Sequence, residues 1–302
     1  MPIRLANAPC SWGLYQLSDT VGIAYERILD EIARSGYTGT ELGPYGFFPT
    51  EPVRLKDALQ SRGLSLPAGS AKEPYHVREA RPGILERVRR TCMLLRDVGA
   101  EFVVILGGGA DARLRTAGRS DAAARLDASD WTTFCEAVMM VGKLAKEEFG
   151  LTAVLHPHAG SYVEFADEVA RALDNLDPAY VGLCIDTGHC AYAGIDPIRL
   201  FSDHVARTSY FHFKNVDGTI LVQARRNGTD LPSAVKGGVF CPLDRGLVDF
   251  AELARTLDRR GFSGWATIEQ DCDVAAGGDP FHDARESFAF LRGLGLTSTV
   301  PA

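Results

Sequence analysis

Histidines, carboxylates and one lysine stand at the ends of four short apolar runs in the second half of the chain. These side chains are the ones that bind first-row metal ions and transfer protons. Four of the seven histidines fall within three consecutive runs, which scattered surface histidines would rarely do. The residues are His156 and His158 in TAVLHPH, Asp186 and His189 in VGLCIDTGH, His212 and Lys214 in TSYFHFKN, and Glu269 and Asp271 in WATIEQD.

The spacing of these residues predicts which of them point the same way. Residues two apart on a strand lie on one face, so His156 and His158 share a face. If the first residue of each pair points inward, two imidazoles and two carboxylates converge. Such a set suits Mn²⁺, Co²⁺, Fe²⁺ or Zn²⁺ better than Mg²⁺ or Ca²⁺, which prefer all-oxygen ligands. Ordinary polar residues at strand ends are the alternative. The predicted metal ligands are His156, Asp186, His212 and Glu269.

Eight short β-branched runs alternate with longer amphipathic segments along the whole chain. This alternation predicts an α/β fold, a single (β/α)8 TIM barrel over residues 1–302, with an open doubly wound sheet as the alternative. Gly99 and Gly150 stand just before predicted strands, where helices commonly end. In such a barrel the active site lies at the carboxyl ends of the strands. The predicted strands begin at Ile3, Gly39, Leu64, Phe102, Thr152, Val181, Thr208 and Trp265.

Two long connections are rich in Gly, Arg and Asp, at 110–129 and 216–247. Long connections in compact domains usually shape a binding site or cover it, which we expect here. Gly107 and Gly109 just before the first connection, with Ala112 inside it, have the spacing of a dinucleotide fingerprint. No apolar-faced helix follows these residues, so the sequence favours a flexible loop.

Asp186 could cap a helix or bind a metal. Asp196 followed by Pro197 is the better cap and first-turn pair. We therefore expect Asp186 to be available as a ligand, with His189 as a second ligand or a substrate contact.

Composition excludes several classes of protein. The net charge is −7 and no basic cluster stands out, which argues against nucleic-acid binding. No apolar run approaches the ~20 residues that span a bilayer, and the N-terminus does not resemble a signal sequence. None of the seven cysteines is in a CxxC pair, which is typical of reduced thiols and predicts a cytoplasmic protein.

Seven stretches together resemble one family. The chain resembles the xylose-isomerase-like barrel superfamily of sugar isomerases, epimerases and dehydratases, and within it the inosose dehydratase family. The resemblance implies a lyase that dehydrates a keto-cyclitol, 2-keto-myo-inositol (scyllo-inosose), to a diketone in inositol catabolism. It implies a small polyol or keto-sugar substrate and no membrane or nucleic-acid partner, and it leaves a homo-oligomer open. The stretches are NAPCSWG, ELGPYGFFP, HPHAGSYVE, DTGHCAYAG, FHFKNVD, FCPLDRGLVDF and GWATIEQD.

The resemblance also implies a metal centre with Mn²⁺ or Co²⁺, and Zn²⁺ or Fe²⁺ as alternatives. The typical ligands of the superfamily are Glu, Asp, His and Glu, and His156 stands where the first glutamate is expected. Epimerases of the superfamily use two such glutamates as paired acid and base, so this departure favours dehydration. Glu164 is a substitute carboxylate, although we expect it in the following helix. A ketose isomerase or 3-epimerase, and a non-catalytic sugar-binding barrel, are the alternative functions.

Roles for the remaining residues follow from this reaction, in which a base removes an α-proton and an acid protonates the leaving hydroxyl. Lys214 is expected to hold the developing oxyanion or to donate a proton, with a salt bridge to Glu269 or Asp271 as the alternative. Trp12 offers an apolar wall to a cyclitol ring, with core packing as the alternative. The candidates for the base are Glu41, His158, His189 and Glu269. The candidate substrate contacts are Trp12, Lys72, Glu73 and Asp271.

Overall fold

The computed structural model describes residues 3–108, 110–272 and 277–296, which contain ten strands and twelve α-helices. The strands are β1 (Ile3–Asn7), β2 (Gly39–Thr40), β3 (Ala68–Glu73), β4 (Phe102–Gly107), β5 (Thr152–Leu155), β6 (Val181–Asp186), β7 (Thr208–Phe213), β8 (Asn215–Val216), β9 (Phe240–Cys241) and β10 (Gly264–Ile268). The α-helices are α1 (Tyr25–Arg34), α2 (Pro52–Gln60), α3 (Arg81–Val98), α4 (Asp111–Leu114), α5 (Ala128–Phe149), α6 (Ala166–Asn175), α7 (Thr187–Ala193), α8 (Pro197–Asp203), α9 (Gly218–Asn227), α10 (Leu231–Lys236), α11 (Phe250–Arg259) and α12 (Pro280–Gly293).

Eight of the strands form one parallel sheet in the order β2-β1-β10-β7-β6-β5-β4-β3. The two ends of this sheet meet where Gly39 pairs with Ser65, just before β3, and Thr40 N donates to Ser65 O at 2.9 Å. The sheet therefore closes, and the predicted (β/α)8 barrel is confirmed. The predicted third strand begins at Ala68 rather than Leu64.

Side chains on the barrel strands alternate between two cores, as the two-residue period of a strand requires. One core lies between the sheet and the surrounding helices, where Leu183 and Phe211 pack in the same cluster as Leu95 and Val138. The other fills the barrel interior with side chains from seven of the eight strands of the sheet. The interior layer consists of Ala6, Ala68, Phe102, Val104, Val154, Cys184, Tyr210 and Trp265.

Helix ends are defined by glycines and aspartates. Gly99 ends α3 and Gly150 ends α5, both with positive φ values of 86° and 69° that glycine adopts without strain. Asp196 caps α8 by accepting from Ile198 N and Arg199 N, which confirms the predicted cap.

The two long connections contain helices. α4 is a single turn inside the first, and Gly109 of the dinucleotide-like spacing lies outside the described residues. The second contains α9 and α10 between the antiparallel strands β8 and β9. These elements form a small core of their own, in which Leu221 and Leu231 pack with Val216 and Phe240.

None of the helices in the described part of the chain is long and apolar enough to cross a bilayer.

Candidate metal centre and active site

The four predicted metal ligands converge at the carboxyl ends of β5, β6, β7 and β10. His156, Asp186 and His212 each stand two residues beyond a member of the interior layer, Val154, Cys184 and Tyr210. Strand alternation therefore points them into the barrel, directly above that layer. Their ligand atoms and one from Glu269 all lie within 4.8 Å of one another.

The geometry of this cluster, which we call the metal centre, fits a cation. His212 Nδ1 lies 3.4 Å from Glu269 Oε2 and 3.8 Å from Asp186 Oδ2, and His156 Nε2 lies 3.5 Å from Asp186 Oδ2. Asp186 Oδ2 and His212 Nδ1 face each other in this cluster and are buried without a hydrogen-bond partner among the described residues. Buried polar atoms are costly when unpaired, so a bound ion accounts for them best. The cluster is a candidate site for a divalent metal.

Acidic neighbours favour positive charge at this position. Burial alone would lower the pKa of His212, but Cys184, Glu269 and Glu41 outweigh it and raise that pKa well above its ordinary value. Burial would raise the pKa of Asp186, but the Lys214 ammonium and the nearby His156 imidazole hold it at about 2. The Asp186 carboxylate is therefore charged and available to bind a cation.

Asp186 also caps a helix, so the expectation that it would not act as a cap was wrong. Its Oδ1 accepts from His189 N at 2.8 Å at the start of α7. The two carboxylate oxygens of Asp186 have different partners: Oδ1 faces the helix, and Oδ2 faces the metal centre. A second helix, α8, begins at Asp196, so both aspartates serve as caps.

Lys214 lies beside the metal centre and is fully buried. Its Nζ is 2.9 Å from Asp271 Oδ2, 3.0 Å from Glu269 Oε2 and 3.4 Å from Asp186 Oδ2, so the predicted salt-bridge alternative is present. Burial lowers the pKa of Lys214, but these carboxylates outweigh it and raise that pKa well above its ordinary value. Gly188 makes room for the side chain, because a Cβ there would lie 2.5 Å from Lys214 Cγ. The result is a charged ammonium on the site wall.

His158 and His189 stack against each other with ring centroids 3.6 Å apart. Burial is the largest cause that lowers the pKa of each ring well below its ordinary value. The neighbouring His156 and Lys214 lower both pKa values further. Both rings are therefore neutral at pH 7. His158 Nδ1 lies 2.7 Å from Ala159 O, which places the proton on Nδ1 and leaves Nε2 as the acceptor.

Glu41 lies on the other side of His212 from the two metal-centre carboxylates. Its Oε1 is 2.9 Å from His212 Nε2 and accepts from the Tyr210 hydroxyl at 3.0 Å. The side chain is buried, with 2% exposure. Glu41 is thus part of the site, but its proximal oxygen is already hydrogen-bonded twice.

Lys72 and Glu73 are neighbours on β3 and point to opposite faces. Lys72 is exposed and forms no hydrogen bond or ion pair with the residues that the structure describes. It lies near enough to His158 for its charge to lower the pKa of that ring. Glu73 instead faces outward and binds Arg87 through two contacts of 2.6 and 2.7 Å. The expectation that Glu73 contacts substrate was therefore wrong, because adjacent strand residues cannot share a face.

Trp12 belongs to the core and does not line the site. It lies in a 3₁₀ turn over Pro9–Trp12, is 5% exposed, and donates its indole N–H to Glu31 Oε2 at 2.6 Å. The core-packing alternative is therefore correct for this residue. An aromatic residue that does lie beside the site residues is Phe240 of β9, whose ring is 5.2 Å from that of His189 and 5.0 Å from Lys214 Nζ.

Phe240 was not among the residues that the sequence singled out. It belongs to FCPLDRGLVDF, one of the resembling stretches, but strand periodicity could not place it at the site. Only the pairing of β8 with β9 brings it beside β7.

Glu164 is held away from the metal centre. It lies before α6 rather than inside it, and accepts from Gly118 N at 2.6 Å and Gly160 N at 3.0 Å. Arg113 Nη2 lies 3.2 Å from its carboxylate. The expectation that Glu164 lies in the following helix was wrong, and its contacts leave it no part in the metal centre.

The fold and the site together define a class: a TIM barrel with a candidate divalent-metal centre at the carboxyl ends of its strands. The family model described as "Xylose isomerase-like TIM barrel" matches residues 29–294. An inosose dehydratase of Bacillus velezensis is 30% identical over 269 residues, which cover 89% of this chain and 89% of the relative. The rhizopine catabolism protein MocC of Rhizobium meliloti is 31% identical over 90% of this chain and 83% of the relative.

Among solved structures, that of the probable 3-DHS dehydratase AsbF of Bacillus anthracis is similar to this chain with a TM-score of 0.73. It is 14% identical, and the match covers 96% of this chain and 99% of that one, which supports the fold alone. The chain belongs to the xylose isomerase-like TIM barrel family and, within it, to the family of the inosose dehydratases.

Proposed function

We propose that the protein is a lyase that removes water from a keto-cyclitol, 2-keto-myo-inositol, to form a diketone. The observation that carries the proposal is that His158 and Lys214 both flank the metal centre: the His158 ring lies 5.4 Å from that of His156, and Lys214 Nζ lies 3.0 Å from Glu269 Oε2. An elimination of water needs one group that accepts a proton and another that donates one. The 30% identity to an inosose dehydratase over most of both chains supports this substrate class.

His156, Asp186, His212 and Glu269 are the proposed ligands of the metal, and Mn²⁺ or Co²⁺ suits two imidazoles and two carboxylates best. When bound, a divalent cation supplies a Lewis acid that polarises a ketone oxygen. The centre therefore defines where the substrate carbonyl would lie.

His158 is the proposed base, because its Nε2 carries the lone pair once Nδ1 donates to Ala159 O. The base takes the proton from the carbon next to the ketone, and the electron pair of that C–H bond forms a carbon–carbon double bond. The hydroxyl on the next carbon leaves as water with a proton from Lys214 Nζ. The hydroxyl on the carbon that lost its proton is then an enol, and it rearranges to the second ketone of the product.

His189 and Asp271 support these two groups. His189 stacks on His158 and has its Nε2 3.2 Å from Lys214 Nζ, while Asp271 accepts from the same ammonium. Lys72 is the proposed contact for substrate hydroxyls at the barrel mouth, since it is exposed near His158. We further propose that the connections 110–129 and 216–247 shape the entrance, since Phe240 follows the α9–α10 pair.

The experiment is incubation of the metal-loaded protein with 2-keto-myo-inositol while ultraviolet absorbance reports the diketone. We expect a signal that EDTA abolishes and Mn²⁺ or Co²⁺ restores. His158→Asn should lower kcat by about 10²–10⁴-fold, the usual contribution of a general base. Epimerised ketose with no diketone would overturn the proposal in favour of an epimerase, and ligand binding without any turnover would favour a sugar-binding barrel.

A cytoplasmic location is part of the proposal and is supported by buried thiols. Cys184 and Cys135 are buried within the barrel and on α5, and burial raises the pKa of each to about 11. Thiols of this kind suit a reducing compartment.

A further inference from the structure

Glu41 has a geometry that a catalytic base would not need. It follows β2, is 2% exposed, and its Oε1 lies between two donors, His212 Nε2 at 2.9 Å and the Tyr210 hydroxyl at 3.0 Å. The Tyr210 hydroxyl is itself 2.6 Å from Thr267 Oγ1. The carboxylate is thus held in place by side chains from β7 and β10 before any substrate arrives.

His212 presents its two nitrogens to different partners. Nε2 faces Glu41, whereas Nδ1 faces Glu269 Oε2 at 3.4 Å and Asp186 Oδ2 at 3.8 Å. Nδ1 is buried and has no hydrogen-bond partner among the described residues. A hydrogen bond from Nε2–H to Glu41 leaves the lone pair on Nδ1, which is the nitrogen that faces the metal centre.

We propose that Glu41 is a positioning residue that fixes the tautomer and ring orientation of His212 for metal binding, rather than the base that removes a substrate proton. Histidines that bind metals commonly donate their second N–H to a carboxylate, which orients the ring and makes it a stronger ligand. The inference rests on the proposed metal centre, and it assigns Glu41 to that centre rather than to the substrate.

The position of Glu41 behind the His212 ring also supports a positioning role. The imidazole ring of His212 stands between Glu41 and the metal-centre carboxylates, so a substrate carbonyl at the metal would meet His212 before it met Glu41. Tyr210 belongs to the interior layer below His212, so Oε1 of Glu41 faces the barrel floor. His158, by contrast, offers an acceptor nitrogen beside the stacked ring of His189.

Metal affinity tests the inference directly and without substrate. Co²⁺ binding to the parent, Glu41→Gln and Glu41→Ala is measured by competition with a chromophoric chelator, together with the visible absorption spectrum of the bound Co²⁺. We expect Glu41→Ala to bind Co²⁺ about 10–100-fold more weakly, the usual effect of losing such a partner, with an altered spectrum. Glu41→Gln keeps an oxygen acceptor for Nε2–H and should lose less.

Turnover at increasing metal concentration then separates the two roles. A positioning residue predicts that excess Mn²⁺ or Co²⁺ restores much of the kcat of Glu41→Ala. A catalytic base predicts unchanged Co²⁺ affinity and spectrum for both variants with turnover lost at every metal concentration, and that result would overturn the inference.

Glu73→Ala is the matched control, because Glu73 is also a buried glutamate at a strand end, but it faces outward and pairs with the half-exposed Arg87. Its Co²⁺ affinity should equal that of the parent. If Glu41→Ala does not fold by circular dichroism, the nearly isosteric Glu41→Gln decides, and a Co²⁺ affinity equal to the parent's then rejects the role. Failure of the dehydration reaction alone leaves these affinities unaffected, whereas a parent that binds no Co²⁺ rejects both the metal centre and this inference.

Discussion

Arg113 gives the sharpest stability prediction, because its charge is fully buried in a short helix. Its guanidinium binds Glu168 through contacts of 2.7 and 2.9 Å, lies 3.2 Å from Glu164 Oε2, and donates to Ala124 O at 2.9 Å. These contacts join the connection after β4 to the segment that carries His158. Replacing Arg113 with methionine keeps most of its volume but leaves two buried carboxylates without their shared cation.

The expected loss in the free energy of unfolding depends on the partners that the two glutamates keep without Arg113. Breaking a buried ion pair by removing one partner costs about 3–5 kcal/mol, since the other charge stays buried. Glu168 keeps Arg125 at 2.5 Å, and Glu164 keeps the backbone N–H groups of Gly118 and Gly160. We therefore expect the lower end, about 3 kcal/mol at pH 8. With about 2 °C per kcal/mol for a chain of this size, Tm should fall by roughly 6 °C.

The loss should depend on pH in a defined direction. Burial already raises the pKa of Glu164, and the backbone N–H groups and Arg113 act against that rise. Without Arg113 the pKa of Glu164 rises further. The Glu164 carboxyl of the folded variant therefore binds its proton more tightly than the same carboxyl does in the unfolded chain. The stability of the variant falls as pH rises above the carboxyl range of the unfolded chain, and the deficit should be smaller at pH 5 than at pH 8.

Chemical denaturation of metal-free protein at pH 5 and pH 8, followed by circular dichroism, measures this difference. Arg125→Met is the control, because about a third of that side chain is exposed and its loss should cost less than about 1 kcal/mol. A deficit for Arg113→Met that is below 1 kcal/mol, or equal at both pH values, would refute the reasoning.

Three further outcomes are expected. Lys214→Met should lower kcat for dehydration at least ~100-fold, while divalent-metal affinity stays equal or rises, because a competing cation is gone; weaker metal binding in titrations would contradict this. Trp12→Phe should cost about 1–3 kcal/mol in unfolding experiments through its lost hydrogen bond to Glu31, with KM within about twofold; a large rise in KM would return Trp12 to the substrate site. Mn²⁺ at ~1,000 times its Kd should stabilise the fold by about 4 kcal/mol in thermal melts, and EDTA should remove the gain; an unchanged Tm would argue against the centre.

The alternation of eight strands with helices was sufficient to predict the barrel, and strand periodicity to predict that His156, Asp186, His212 and Glu269 converge. His156, Asp186 and His212 follow interior residues by two positions, and their convergence needs only alternation and a closed parallel sheet. The same rule, applied to β3, would have separated Lys72 from Glu73. Local sequence therefore determines which strand residues face the barrel interior.

Residues beyond the strand ends were decided by tertiary structure. Trp12 turns into the core because its 3₁₀ turn packs beside α1, and Glu164 faces Arg113 because two connections meet there. Phe240 reaches the site only through the pairing of β8 with β9.

The position and contacts of Asp186 depend on both the local sequence and the tertiary structure. Its place at the end of β6 follows from the sequence, whereas the division between Oδ1 as a helix cap and Oδ2 at the metal centre does not. The sequence by itself thus determined the barrel, because eight strands alternate with helices along the chain, and the shared face of strand residues two apart, because strands have a local two-residue period. The tertiary structure alone decided the hydrogen-bond partner of each inward group and the residues that cover the site, because those depend on how distant segments pack.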